Sequence, residues 1–171
     1  QWSRQGSGSS CRSFYAPFAL WEQEQCTTCP LPYPSLIHAI ILIDNQPKAV
    51  SSSQAHQRAL TSSLFATRPK RANERCHALI QALQQKDWQQ AYQITWQEFQ
   101  DMHALFHTAA QPFSYMHPNS IQALNGLAQW WEDHQDGPLV TMDAGCNIHL
   151  LFRPDQSQQL AKIKATLAPL T

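Results

Sequence analysis

Neither sign of charge predominates in this sequence. Twelve lysine and arginine residues are balanced by 12 aspartate and glutamate residues, with no formal net charge. A basic footprint for nucleic acid is therefore missing, although a small anion needs only a local cluster of donors. Long hydrophobic runs are missing as well: the longest, Leu36 to Ile43, has strand length and falls far short of a membrane span. No leader segment precedes Gln1, which leads to the expectation of a soluble cytoplasmic protein. Because Gln1 is not an initiator methionine and a motif begins within six residues, the chain is expected to be a fragment. Cysteine is sparse and odd in number, at positions 11, 26, 29, 76 and 146, which argues against a secreted disulfide framework. Cys26 and Cys29 form a C-x-x-C, but no second pair follows at zinc-ribbon spacing, so a loop pair is favoured over a metal site.

What is present is enough to build a core. The chain has 171 residues, 43% of them hydrophobic and 14% charged, which is the composition of one ordinary folded domain and not of a disordered segment. Glutamines such as Gln81, Gln84, Gln85, Gln89 and Gln90 read as uncharged, solvated helix faces. Cys11, Phe14, Phe18 and Trp21 fall at helical spacing, predicting a helix over 11–22. Cys26 to Pro34 reads as a loop, and Leu36 to Ile43 as a buried strand. Cys76, Leu79, Ile80 and Leu83 mark one helix face. Asp87 can cap a second helix carrying Trp88, Ala91, Tyr92, Phe99, Met102 and Phe106. A third helix carries Ile121, Leu124, Ala128 and Trp131. The period then changes. Pro138 to Met142 and Ile148 to Phe152 read as short strands joined by a turn. Asp155 with Gln158 predicts a capping box for a last helix burying Leu160, Ile163 and Leu167. These elements predict an α+β layer.

Two stretches can carry chemistry. The first is Gly6-Ser7-Gly8-Ser9-Ser10-Cys11-Arg12-Ser13. Its glycines let the backbone approach a ligand, its serines add donors, and Arg12 offers a planar fork for carboxylate or phosphate. On composition alone a flexible linker remains the commoner reading of such a segment. The second is Met142-Asp143-Ala144-Gly145-Cys146-Asn147, an acid at a strand end beside a tight turn. Such an aspartate can serve as a rigid catalytic carboxylate or merely cap its own turn.

Taken together the motifs resemble one family. Ser3 to Tyr15, followed by Phe18 and Trp21, resembles the R-x-G-S-G-S-A-C-R-S stretch of the diphosphomevalonate decarboxylases. Val50-Ser51-Ser52-Ser53-Gln54 resembles their V-S-S-T-Q-G-M, and His103-Ala104 their helical H-A. Pro112-Phe113-Ser114-Tyr115-Met116 resembles their P-x-S-Y, and Met142 to Asn147 their F-D-A-G-P-N. Three positions depart from the pattern: Cys146 stands for proline, and Ala55 and His56 for glycine and methionine.

The resemblance implies a GHMP-kinase superfamily fold, with ferredoxin-like helices on an antiparallel sheet. It assigns residues 1–34 to the end of a first domain and 35–171 to the C-terminal domain. It further implies ATP-dependent phosphorylation of a tertiary 3-hydroxyl, then decarboxylation to isopentenyl diphosphate in the mevalonate pathway. Asp143 and Arg12 would be catalytic. Ser7, Gly8, Ser9 and Ser52 would bind substrate, and no protein metal ligand is assigned. ATP and Mg2+ are implied as cofactors, diphosphomevalonate as the small-molecule partner, and a cytoplasmic homodimer as the assembly. The family's ATP loop is absent from this chain, so the fragment alone is expected to be inactive. Two alternatives stand beside this reading: a related enzyme acting on another mevalonate phosphate, and a non-catalytic binding module.

Overall fold

The structure is a computed structural model that describes residues 10–170. It divides into two compact units, with the break after Leu36. In the first unit a 3₁₀ turn at Ser10–Phe14 leads to a hairpin of β1 (Ala19–Glu22) and β2 (Gln25–Thr28). The two strands pair antiparallel from Ala19↔Thr28 to Glu22↔Gln25. Gln23 and Glu24, with φ of 47° and 65°, form the two-residue connection, as expected of a tight hairpin whose turn must follow the strand twist. The predicted helix over 11–22 is therefore replaced by a turn and a strand. Pro17 explains the difference: a proline disfavours helical geometry at the residue before it and removes a backbone donor. The hairpin also takes Cys26, Thr27 and Thr28 out of the predicted loop.

The second unit contains β3 (Ile37–Ile41), α1 (Ser52–Ala59), α2 (Arg68–Gln84), α3 (Trp88–His107) and α4 (Pro118–His134). It is completed by β4 (Leu139–Met142), β5 (Ile148–Phe152) and α5 (Ser157–Leu167). The sheet order is β3-β5-β4, with both pairings antiparallel. One sheet face is apolar. Ala39 and Ile41, Val140 and Met142, and Ile148, Leu150 and Phe152 pack with Phe99, Leu127, Ile163 and Leu167 in the main core. The expectation of a wholly buried first strand is corrected here. β3 is an edge strand, and its alternate residues His38 and Ile40 are exposed. A second, smaller cluster of Ala55, Ala59, Leu105, Phe106 and Ala144 joins α1, α3 and the turn after β4.

Local chemistry fixes the helix ends. Asp87 accepts a hydrogen bond from the Gln90 amide at the start of α3, satisfying one of the orphan donors there. Ser51 and Gln54 form a reciprocal capping box that starts α1; the sequence reading assigned no helix at this position. Ahead of the last helix the predicted Asp155/Gln158 box does not form; instead the Gln156 side chain accepts from the Arg153 amide at 2.8 Å, and the Gln156 amide donates to the Arg153 carbonyl at 3.0 Å. Asp155 instead binds the Arg153 guanidinium at 3.1 Å, an ion pair that outcompetes a role in capping. Ile121, predicted to face the core, is 48% exposed; the buried stripe of α4 runs through Ala123, Leu124, Leu127 and Trp131.

Several buried polar groups beside the sheet are tied off. Trp88 and Trp131 donate their indole N–H groups to Gly137 O and Pro138 O at 2.7 and 2.8 Å. Asp136 accepts both arms of the Arg153 fork at 3.0 Å and amide donors from Gln156 and Gln159 at 2.9 Å. These bonds lock the chain entering β4, and β4 delivers Asp143. No helix among the described residues is long and apolar enough to cross a membrane.

Candidate active site

The turn Asp143–Asn147 is held at the end of the β4/β5 hairpin by contacts from four directions. From α3, His103 donates Nε2–H to the Asp143 carbonyl at 3.0 Å. Lys48, on the loop between β3 and α1, donates Nζ–H to the Ala144 carbonyl at 2.5 Å. Ser120, near the start of α4, donates its hydroxyl to the Cys146 carbonyl at 2.7 Å. Asn147 closes the fourth side. Its Oδ1 accepts from the Ile43 and Asp44 amides at 2.8 and 3.2 Å, and its Nδ2 donates to Asp44 O at 3.2 Å. A turn so fully bonded has little freedom to reorient the side chain it carries.

The turn is closed by backbone, from Gly145 N to Asp143 O at 2.9 Å. Among the described residues no hydrogen bond engages the Asp143 carboxylate, which is exposed. The reading of Asp143 as a side-chain cap of its own turn is thus replaced by a carboxylate presented outward on a rigid support. At Gly145 a side chain would meet crowding rather than backbone strain, since no glycine among the described residues has positive φ. A Cβ there would lie 2.9 Å from Lys48 Nζ and 3.0 Å from Asp143 Oδ1, so the glycine leaves room for a cation and an anion on the two sides of one point.

Three of the sequence motifs meet beside this turn. A cavity of about 500 Å³ opens between them, with Lys48, Val50, Phe113, Tyr115, Cys146 and Asn147 in its wall. Tyr115 donates its hydroxyl to Val50 O at 2.7 Å, which ties the P-x-S-Y stretch to the start of the V-S-S segment. Burial and the neighbouring Asp143 charge push its phenol pKa up, so it stays protonated and able to donate. His103 is 1% exposed, and burial pushes its pKa down. Its Nδ1 is buried without a partner, so a second proton there would be a buried charge with nothing to accept its hydrogen bond.

The other residues named from sequence distribute as follows. Ser52 is the exposed first residue of α1, one position after the capping Ser51. Arg12 is exposed in the 3₁₀ turn of the first unit, its carbonyl accepting from Tyr15 N at 3.1 Å. Ser7, Gly8 and Ser9 lie outside the described residues. Of the two departures in the V-S-S segment, Ala55 is fully buried in the small core cluster and His56 is exposed. A methyl group at position 55 thus packs toward Ala144. Lys48 was missed in the sequence; it belongs to no motif, and only tertiary folding brings it to the turn, about 100 residues along the chain.

Comparison with known proteins gives a consistent picture. Residues 38–170 match the family model of the mevalonate 5-diphosphate decarboxylase C-terminal domain. The chain is 31% identical to the diphosphomevalonate decarboxylase of Aspergillus fumigatus over 99% of its own length and 45% of that protein. It is 27% identical to the Rattus norvegicus enzyme over 98% of its length and 45% of that protein. Among solved structures, a mevalonate diphosphate decarboxylase from Legionella pneumophila superimposes with a TM-score of 0.91 at 46% identity, over 95% of this chain and 52% of that one. MDDEF in complex with MVAPP, AMPPCP and magnesium gives 0.83 at 28% identity, over 95% and 52% of the two chains. The chain spans about half the length of the relatives it matches.

Proposed function

Given that the chain belongs to the mevalonate 5-diphosphate decarboxylase family, whose C-terminal domain it carries, we propose that it supplies the catalytic-carboxylate half of an ATP-dependent diphosphomevalonate decarboxylase. In this reading residues to about Pro34 end the first domain and the rest is the second. ATP is a co-substrate. Its γ-phosphoryl group passes to the tertiary 3-hydroxyl oxygen, forming a new P–O bond; the substrate's own tertiary C–O bond then breaks as phosphate leaves, and the bond to the carboxylate carbon supplies the electrons of the alkene. ADP, phosphate, carbon dioxide and isopentenyl diphosphate are released.

Asp143 orients the hydroxyl and takes its proton as the oxygen attacks phosphorus. During decarboxylation the same carboxylate stabilises the positive character at the carbon losing phosphate. Arg12 holds the substrate carboxylate through its planar fork. Ser7, Gly8 and Ser9 bind substrate, at its diphosphate end or its reacting region, and Ser52 approaches the substrate from the N-terminus of α1. A solved relative bound to MVAPP, AMPPCP and magnesium supports the choice of ligands. Among the described residues no group of three His, Cys, Asp or Glu side chains could hold a metal ion, so no step is assigned to a magnesium site on this chain. Family membership is also the ground for expecting a cytoplasmic homodimer.

The observation that carries the reading is the outward carboxylate of Asp143 on a turn fixed by His103, Lys48, Ser120 and Asn147. Asp143→Asn in the intact polypeptide should abolish coupled release of ADP and carbon dioxide from diphosphomevalonate while leaving substrate binding by calorimetry within about threefold. Near-normal turnover in that variant removes Asp143 from catalysis. Turnover of a monophosphate in place of the diphosphate assigns the chain to the sister activity.

A further inference from the structure

We propose that His149 is a further substrate-binding residue of this site, donating Nε2–H to an anionic oxygen beside the hydroxyl that Asp143 holds, and that His38 is its positioning residue. This rests on the reading of Asp143 as the reacting carboxylate. The register of the sheet puts the three residues in one row. On β5, His149 faces Thr141 of β4 on one side and Ile40 of β3 on the other. Asp143 follows two residues after Thr141 and His38 stands two residues before Ile40, so each is a diagonal neighbour of His149. Pleating sends alternate residues of a strand to the same face. Ala39, Val140, Met142 and Ile148 point into the core, which leaves His38, Thr141, Asp143 and His149 together on the opposite face. Diagonal neighbours stand about 7–8 Å apart, within reach of long side chains. A substrate whose hydroxyl rests on Asp143 spans that gap.

The His149 ring is held from one side and open on the other. Its Nδ1 lies 3.0 Å from His38 Nε2, and the two ring planes are within 12° of parallel. The two nitrogens of an imidazole point in nearly opposite directions. With Nδ1 turned to β3, Nε2 therefore looks toward β4 and the Asp143 turn, and among the described residues it has no hydrogen-bond partner. A proton on Nε2 suits the carboxylate on that side better than a lone pair does, which makes His38 the donor to Nδ1. Burial pushes the His149 pKa down; the Asp143 charge opposes this, and His38 and Lys48 reinforce it. The resting residue is thus a neutral donor. An arriving anion shifts the balance and draws a second proton onto the ring.

The experiment reads steady-state kinetics from about pH 6 to pH 8.5, and melting temperature, for His149→Ala, His149→Gln, His38→Leu, His38→Gln and Asp143→Asn in the intact polypeptide. His149→Ala should lose about ten- to a hundredfold in kcat/KM with its melting temperature kept, the range for one hydrogen bond to a charged group. A loss confined to KM for diphosphomevalonate places the bond on that substrate's own anionic groups; a loss in kcat places it on the phosphoryl group in transfer. The ratio of native to His149→Gln activity should grow as pH falls toward 6, because the ring gains a charge and the amide does not. His38→Leu should show part of the His149→Ala loss, and His38→Gln, whose amide can still donate to Nδ1, should recover most of it. If Asp143→Asn is inactive but His149→Ala keeps kcat/KM within twofold, the inference falls and the assignment of Asp143 stands. A native to His149→Gln ratio that stays constant with pH also overturns it, as does a loss of rate matched by a fall in melting temperature in both His149 variants. Unchanged kinetics in His38→Leu removes the positioning role. If Asp143→Asn is itself active, the assignment of Asp143 fails.

Discussion

Replacing His103 with glutamine tests how the floor of the site is built. His103 is buried, donates Nε2–H to Asp143 O, and leaves Nδ1 without a partner. Burial lowers its pKa from the ordinary 6.5, opposed by the bond to Asp143 and by that residue's charge, and reinforced by nearby His107. The sign follows directly. Above pH 6.5 the histidine is neutral in both folded and unfolded chains, and its contribution to stability is complete. As pH falls from 6.5 toward the lower folded value, the unfolded chain takes up a proton that the folded chain refuses, so stability is lost over that window. One such proton corresponds to about 1.4 kcal/mol per pH unit, or about 4 °C per unit for a domain of this size.

Glutamine can place its amide nitrogen near the position of Nε2 and keep the bond to the Asp143 carbonyl, but it cannot titrate. The variant should therefore lie within about 1 kcal/mol of the native protein at pH 8, where one hydrogen bond is exchanged for another. Below pH 6.5 its melting temperature should fall less steeply. His149, whose pKa is also lowered by burial, titrates in both proteins and cancels in the comparison. Melting temperatures at half-unit steps from pH 8 to pH 5 supply the measurement. Parallel curves for the two proteins would mean that His103 takes up its proton in the folded state, and the account of an unpartnered Nδ1 would be wrong.

Two other outcomes are expected. Asp136→Ala should destabilise the protein by about 2–3 kcal/mol in urea unfolding, because the Arg153 fork and two glutamine amides lose their acceptor together. Those donors also hold the Asp136 carboxyl below its ordinary 3.8, though burial opposes them, so the native protein should keep this contribution above that pH and lose it on further acidification. Ser51→Ala should cost about 1 kcal/mol by removing the capping box of α1; an unchanged urea midpoint would show that Gln54 and water replace it.

Much of this architecture is written locally in the chain. The change of period after residue 138 locates β4 and β5, and Asp87 marks the start of α3, because each depends on neighbours in sequence. The misreadings have equally local or plainly tertiary causes. Pro17 should have stopped the helix expected over 11–22, and Ser51 with Gln54 spelled a helix start that was passed over. No pattern in Leu36 to Ile43 could reveal that β3 lies at an edge, since burial of both faces is decided by which strands arrive beside it. The site divides in the same way. Asp143 stands in a recognisable motif. Lys48 lies in a loop whose sequence is ordinary, and its meaning comes from a fold that returns residues 143–145 to it.

The strand order also governs how this domain comes into being. β5, the middle strand of the sheet, is the last strand to be synthesised, and its Ile148 pairs with Ile41, made more than 100 residues earlier. Until β5 emerges from the ribosome, β3 and β4 have no common neighbour, and the apolar side of each is left to α3 and α4 alone. The nascent chain therefore carries an open sheet from the making of β3 until that of β5, a state in which unpaired edges invite wrong partners. Helices α2 to α4 can form early from local contacts, whereas the long-range closure through β5 sets the pace of folding. A ribosome stalled just before Ile148 is added would hold the helices without the sheet that aligns them.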